Sequence, residues 1–223
     1  MCELYSEVSN MKKAIIFDMD GTLWDSAVNV AESWNVAMKE WGYEREPINE
    51  ADMQSVMGKT MDQIADILFD KVEGQERADL LKHACKVEND YLREHGGVLY
   101  PEIRETMEKL KEDYRLLIVS NCQSGYIEAF LDFYKFHDLV EDIECFGNNN
   151  KPKSENIALI CERNNIAKEM AVYVGDIQGD YDSATAAGVK FIHAAYGFGT
   201  IDAEVEKIQA FHELPEVMKK MNF

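Results

Sequence analysis

Cysteine, proline and positive charge are all scarce in this chain. Its five cysteines in 223 residues, Cys2, Cys85, Cys122, Cys145 and Cys161, form no CxxC pair and no Cys/His spacing suited to zinc. That excludes a disulfide scaffold or a zinc module and points to a reducing, cytoplasmic setting. Four prolines beside 46% hydrophobic residues exclude a disordered or proline-rich chain. Lys plus Arg total 23 against 42 Asp plus Glu, a formal charge of −19. A field of that sign repels polyanions, so neither nucleic acid nor an anionic membrane is expected as a partner. No segment approaches the roughly 20 apolar residues that span a bilayer. Residues 1–10 lack a cationic stretch followed by an apolar one, so no secretion signal is read there. Met11-Lys12-Lys13 directly precedes the first strand signal, which marks residues 1–10 as a loose N-terminal extension or an alternative-start artefact.

Short apolar runs that end at polar residues set the architecture. Ala14-Ile15-Ile16-Phe17 stops at Asp18, Leu116-Leu117-Ile118-Val119 at Ser120-Asn121, Ala171-Val172-Tyr173-Val174 at Gly175-Asp176, and Val189-Lys190-Phe191-Ile192 near His193. Such runs read as buried strands. Helical spacing occupies the intervals Glu102 to Asp113, Gly125 to Tyr134, Ser154 to Asn164 and Ser183 to Ala187. The alternation predicts an α/β fold, a doubly wound, Rossmann-like parallel sheet with helices on both faces. Ligands of such sheets sit beyond the carboxyl ends of the strands, where the polar residues gather.

The stretch 25–97 breaks the rhythm. It carries helical patterns over Val28 to Trp41, Asn49 to Met57, Met61 to Phe69 and Gln75 to His95, and no strand. We therefore expect a core of residues 11–24 and 98–223 interrupted by an inserted all-helical subdomain at 25–97. Met53, Met57, Met61, Trp34 and Trp41 fall on its helical patterns and read as core packing, and the five histidines show no metal spacing.

Asp18-Met19-Asp20-Gly21-Thr22-Leu23 sets two carboxylates two residues apart directly after a buried strand. Carboxylates held that close repel, and a divalent cation relieves the repulsion. The hexapeptide resembles the signature of the haloacid dehalogenase superfamily, most of whose members are phosphatases. Further pieces follow in the family's order. Ser120-Asn121 matches its second motif, Lys151-Pro152 its third, and Gly175-Asp176-Ile177-Gln178-Gly179-Asp180 its fourth. Asn150 stands where a glycine is common and Lys153-Ser154 where relatives often carry a second proline, which leaves Lys153 as the alternative to Lys151.

The resemblance implies a Mg²⁺-dependent phosphohydrolase acting on a small phosphate ester. Asp18 would be the nucleophile, forming an aspartyl-phosphate, and Asp20 the general acid and base. Lys151 would offset charge, while Ser120, Asn121 and Thr22 would bind the phosphoryl group. Asp18, Asp176, Asp180 and the Asp20 carbonyl would hold Mg²⁺, a hard cation that favours oxygen ligands. The helical insert resembles the small cap of phosphoglycolate phosphatase-like and β-phosphoglucomutase-like relatives. In that comparison Lys59, after Gly58, would face the phosphoryl site, and Tyr196-Gly197-Phe198-Gly199 would match a glycine loop. A phosphosugar mutase using the same two aspartates and a non-catalytic regulatory protein are the competing readings. Substrate identity and oligomeric state are left open.

Overall fold

A computed structural model describes residues 12–223; the N-terminal extension expected at residues 1–10 lies outside them. Strand β1 (Ala14–Phe17) is buried along its whole length and forms the middle of the sheet. It is flanked by β4 (Arg115–Ser120) and β6 (Ala171–Gly175), then by β5 (Asp142–Cys145) on one side and β7 (Lys190–Ala194) and β8 (Glu206–Ile208) on the other. The order is β5-β4-β1-β6-β7-β8, and every neighbouring pair is parallel. Strand alternation divides the side chains between two apolar layers. Ile15, Phe17, Leu116, Ile118, Val172 and Val174 face one, with α5 (Ile103–Asp113), α6 (Tyr126–Tyr134) and α10 (Leu214–Lys220) packed over it. Ala14, Ile16, Leu117, Val119 and Tyr173 face the other, beneath α8 (Lys153–Arg163) and α9 (Gln178–Ala187). At about 1.5–3 kcal/mol for each large apolar side chain buried, these two layers supply most of the force holding the sheet.

The expected parallel sheet is thus present, with two strands added at its edges. Asp142–Cys145 and Glu206–Ile208 are short and carry charged residues, so neither shows the apolar run of a buried strand. An edge strand packs on one neighbour alone, and charge there also discourages pairing with another chain.

Four helices lie between β1 and the second core strand: α1 (Ala27–Trp41), α2 (Glu50–Gln54), α3 (Met61–Leu68) and α4 (Gly74–His95). A two-stranded antiparallel ribbon closes their base, with Trp24 of β2 (Trp24–Asp25) opposite Leu99 of β3 (Val98–Leu99). Gly42 in the left-handed region caps α1, and Asn49 and Asp52 form a reciprocal cap on α2. Trp34 of α1 stacks on Phe69 at 5.1 Å inside this helical layer. Trp41, expected in the core, is 40% exposed at the end of α1, because it falls beyond the buried stripe that ends at Ala37 and Met38. Helix α4 buries Leu80, Ala84, Glu88 and Leu92, a ridge with one acid among apolar residues. A very short α7 (Phe146–Asn149) follows β5.

Candidate functional site

Asp18 is the first residue past β1, its N–H still donating to the Val174 carbonyl at 2.9 Å. The register pairs Phe17 with both Ile118 and Val174, so Asp18, Ser120 and Asp176 reach the same edge of the sheet from three adjacent strands. Carboxylate oxygens of Asp18, Asp176 and Asp180 lie within 4.8 Å of one another, all buried. Burial, followed by repulsion from Asp180, pushes the Asp18 carboxyl up to about 7, against the pull of Lys153. Burial, with Asp18 and Asp180 adding to it, pushes Asp176 up to about 8. A set of buried oxygen donors, two of which resist carrying their charges unaided, suits a hard divalent cation.

The loop after β1 holds this cluster together. Leu23 N–H donates to the Met19 carbonyl at 2.8 Å and Gly21 N–H to the Trp24 carbonyl at 2.9 Å, a tight turn with Gly21 at φ 82°. A Cβ on Gly21 would stand 2.1 Å from Asp176 Oδ2. From the other side, the turn after β7 closes in. Phe198 N–H donates to Asp176 Oδ2 at 2.7 Å, and Tyr196 donates its hydroxyl proton to the Thr22 carbonyl at 2.6 Å. A Cβ on Gly197 would stand 2.3 Å from the Gly21 carbonyl oxygen. The expected glycine loop therefore supports the acidic cluster directly.

The cation in this cluster is Lys153. Its ammonium lies 2.8 Å from Asp18 Oδ1 and 2.6 Å from Asp180 Oδ1, and its side chain is 3% exposed. Burial pulls its pKa down, but Asp18 and Asp180 outweigh that and hold it well above the usual lysine value. Lys151, the sequence-based choice, is exposed outside the cluster. Helical phase explains the correction. Pro152 caps α8, which begins at Lys153, so Lys153 shares the inward stripe with Asn156, Ile157 and Ile160. Lys151 sits before that helix, where its N–H donates to Asn149 Oδ1 at 2.8 Å.

Asp20 is placed differently from the other acids. Its Oδ1 accepts from Ser26 Oγ at 2.7 Å and from the Tyr126 hydroxyl at 2.6 Å. Burial raises its pKa, opposed by these hydrogen bonds. Asp180 Oδ2 accepts the N–H groups of Asp176 and Ile177 at 3.1 and 3.3 Å, tying the β6–α9 loop. Ser120 is buried at the end of β4 and Asn121 follows it. Thr22 is fully buried with its hydroxyl unpartnered among the described residues, and it does not line the cavity described next.

Between the sheet edge and the helical insert lies a cavity with a free volume of about 30 Å³. Asp18, Asp20, Ser120 and Asn121 form its floor, and Trp34, Met53, Met57, Met61 and Ile64 much of its roof. The methionines assigned to packing thus also wall the site. Gly58 and Lys59 reach the lining, Lys59 with an exposed side chain, and Asn121 Nδ2 donates to the Gly58 carbonyl at 2.9 Å. Glu88 also lines the cavity, with its Oε2 accepting from Trp34 Nε1 at 2.5 Å. The sequence carried a signal for it that motif matching passed over: an acid at the third place of the i, i+4 ridge Leu80, Ala84, Glu88, Leu92. Tyr173 and Tyr126, which buttress Asp18 and Asp20, carry no such signal, because a buried tyrosine is ordinary in a strand or helix.

The sequence and the fold have counterparts among known proteins. The family model described as haloacid dehalogenase-like hydrolase matches residues 15–194. A phosphoglycolate phosphatase of Aliivibrio fischeri is 26% identical, over 83% of this chain and 85% of its own, and one of Nitrosospira multiformis is 29% identical, over 83% and 84%. Among solved structures, a haloacid dehalogenase-like hydrolase from Bacteroides fragilis superposes with a TM-score of 0.78 at 24% identity, covering 92% of this chain and all of that one. At that identity the likeness establishes the fold. No helix among the described residues is long and apolar enough to cross a membrane. The match to the family model over most of the chain, together with the acidic cluster at the edge of the parallel sheet, shows that this protein belongs to the haloacid dehalogenase-like hydrolase family.

Proposed function

We propose that this protein is a Mg²⁺-dependent phosphatase that hydrolyses a small phosphate monoester through an aspartyl-phosphate on Asp18. The observation that carries the reading is the buried cluster of Asp18, Asp176 and Asp180 with the Lys153 ammonium between two of them. Family membership and the phosphatase names of the curated relatives support it.

Asp18 sits on the cavity floor, where its carboxylate oxygen can attack phosphorus and displace the leaving alkoxide. Asp20, two residues on, is held by Ser26 and Tyr126, and burial raises its pKa, which favours the role of giving a proton to the leaving oxygen and later taking one from the attacking water. Lys153 stabilises the charge that gathers on the transferring group, with the Ser120 hydroxyl and the Asn121 backbone N–H as hydrogen-bond donors from the cavity floor. Asp18 and Asp176, with Asp180 and the Asp20 carbonyl, would hold Mg²⁺, which when bound neutralises the carboxylates and the phosphoryl oxygens.

The helical layer roofs this cavity, so its movement away would admit an ester and its return would exclude water from the reacting atoms. The test is phosphate release from a panel of monoesters by wild type and Asp18→Asn, each with Mg²⁺ and with EDTA. Release that depends on both Asp18 and the metal is expected. Release that persists in Asp18→Asn would overturn the assignment of the nucleophile.

A further inference from the structure

Beyond the phosphoryl site the cavity lining holds a buried carboxyl and two buried amide oxygens. Glu88 is 3% exposed on the lining, and burial pushes its carboxyl up to about 7. The groups that shift it besides burial are Trp34, Gln123 and Asp20, and none is a cation. Two further buried oxygens on residues of the same lining, Asn121 Oδ1 and Gln123 Oε1, have no partner among the described residues. Their orientations follow from the bonds their amide nitrogens make. Asn121 Nδ2 is committed to the Gly58 carbonyl. Asn89 Nδ2 donates to the Ser124 carbonyl at 2.9 Å, so Asn89 Oδ1 faces Gln123 and requires its NH₂, at 3.0 Å, which leaves Gln123 Oε1 free. Lys59 is the one lysine on the lining and is exposed; no arginine lies there.

Buried acceptors without donors cost stability until something satisfies them. A substrate can do so. We propose that Glu88, with Gln123 and Asn121, selects phosphate monoesters whose leaving group carries hydrogen-bond donors, an ammonium or hydroxyl a short chain from the phosphoryl group, and rejects those ending in a carboxylate. The inference rests on the phosphatase reading and adds a substrate class to it. It also separates this chain from the activity named for its curated relatives: an incoming ammonium favours the ionised form of the Glu88 carboxyl, whereas the carboxylate of phosphoglycolate is repelled by that form and accepted only by the protonated one. The apolar wall of Met53, Met57, Met61 and Ile64 fits a short carbon chain behind the donors.

The experiment uses three esters of matched size, 2-aminoethyl phosphate, 2-hydroxyethyl phosphate and phosphoglycolate, with p-nitrophenyl phosphate as a reporter of the chemistry. In the wild-type protein with Mg²⁺, kcat/KM for the two donor-bearing esters is expected to exceed that for phosphoglycolate by about tenfold or more. Glu88→Gln is expected to reduce the ratio of 2-aminoethyl phosphate to phosphoglycolate by about tenfold, mainly through KM. A residue that only anchored Trp34 would lower all esters alike and leave the ratio where it was. If Glu88→Gln does not fold, Gln123→Met carries the same test through the 2-hydroxyethyl ratio. Phosphoglycolate as the best of the three, or an unchanged ratio in a folded variant, overturns the proposal. If the reporter itself is not hydrolysed, the phosphatase reading fails; the ranking of the three esters by calorimetric binding to the wild-type protein then decides the specificity on its own.

Discussion

The Lys153 ammonium and the Asp18 carboxylate meet at 2.8 Å although 135 residues separate them, and both side chains are all but sealed from solvent. The pair joins the end of the central strand to the first turn of a helix on one sheet face, and Asp180 closes it from the other side at 2.6 Å.

Replacing Lys153 by Met should lower kcat by about a hundredfold or more, because the charge it stabilises develops in the transition state. Lys151→Met, outside the cluster, should change kcat less than about twofold, as an exposed lysine does. Steady-state kinetics on any hydrolysed ester distinguish the two, and equal losses would return Lys151 to the site.

Asp18 and Asp176, whose carboxyls resist ionising beside Asp180, should make the fold respond to metal. Adding Mg²⁺ should raise Tm, by an amount equivalent to about 2.7 kcal/mol at a hundred times Kd, and EDTA should reverse it. Asp176→Asn should lose most of that response, since it removes one of the clustered donors. Thermal denaturation across a metal titration reads the effect without any substrate.

The two turns that clasp Asp176 leave no room for a methyl group. Gly197→Ala should destabilise the protein by about 1–3 kcal/mol, its Cβ pressing on the Gly21 carbonyl and on Asp176, and should weaken metal binding as the Phe198 N–H is displaced. Gly179→Ala, on helix α9 with only Ile177 nearby at 3.7 Å, should be neutral or stabilise by up to about 1 kcal/mol. Urea denaturation of both variants gives the contrast.

Glu88 should make stability fall as pH rises. Its carboxyl titrates near 7 in the fold against 4.5 in an exposed chain, so the folded state binds the extra proton between those values. The contribution is complete below about 4.5 and is lost as pH climbs through 7. Glu88→Gln has no proton to lose, and its stability relative to wild type should increase between pH 5 and pH 8 by of order 3 kcal/mol at most. Denaturation midpoints of the two proteins over that range test the sign. A difference that stays flat with pH would mean that Glu88 is not desolvated in the folded protein.

Much of this molecule was legible from local pattern. Four core strands, the helices of the insert and the Asp18, Ser120 and Asp176 positions all follow from runs of apolar residues that end at polar ones, because a parallel strand buried on both faces must be apolar until it emerges. The edge strands at Asp142–Cys145 and Glu206–Ile208 escaped for the converse reason: their burial is partial and their sequences polar.

What the sequence by itself determined is the α/β class, the order of the elements and the carboxyl-edge location of the acids. Tertiary structure decided which lysine enters the cluster, which turn clasps Asp176 and which side chains face the cavity from the insert. Lys151 and Lys153 differ by two positions in a motif, and the phase of a helix docked on the sheet chooses between them. Glu88, Asn121 and Gln123 come together because a helical layer inserted after the first strand folds back over the ends of others. Spacing along a chain encodes periodicity, whereas convergence of distant groups depends on how the crossovers bring the elements into contact.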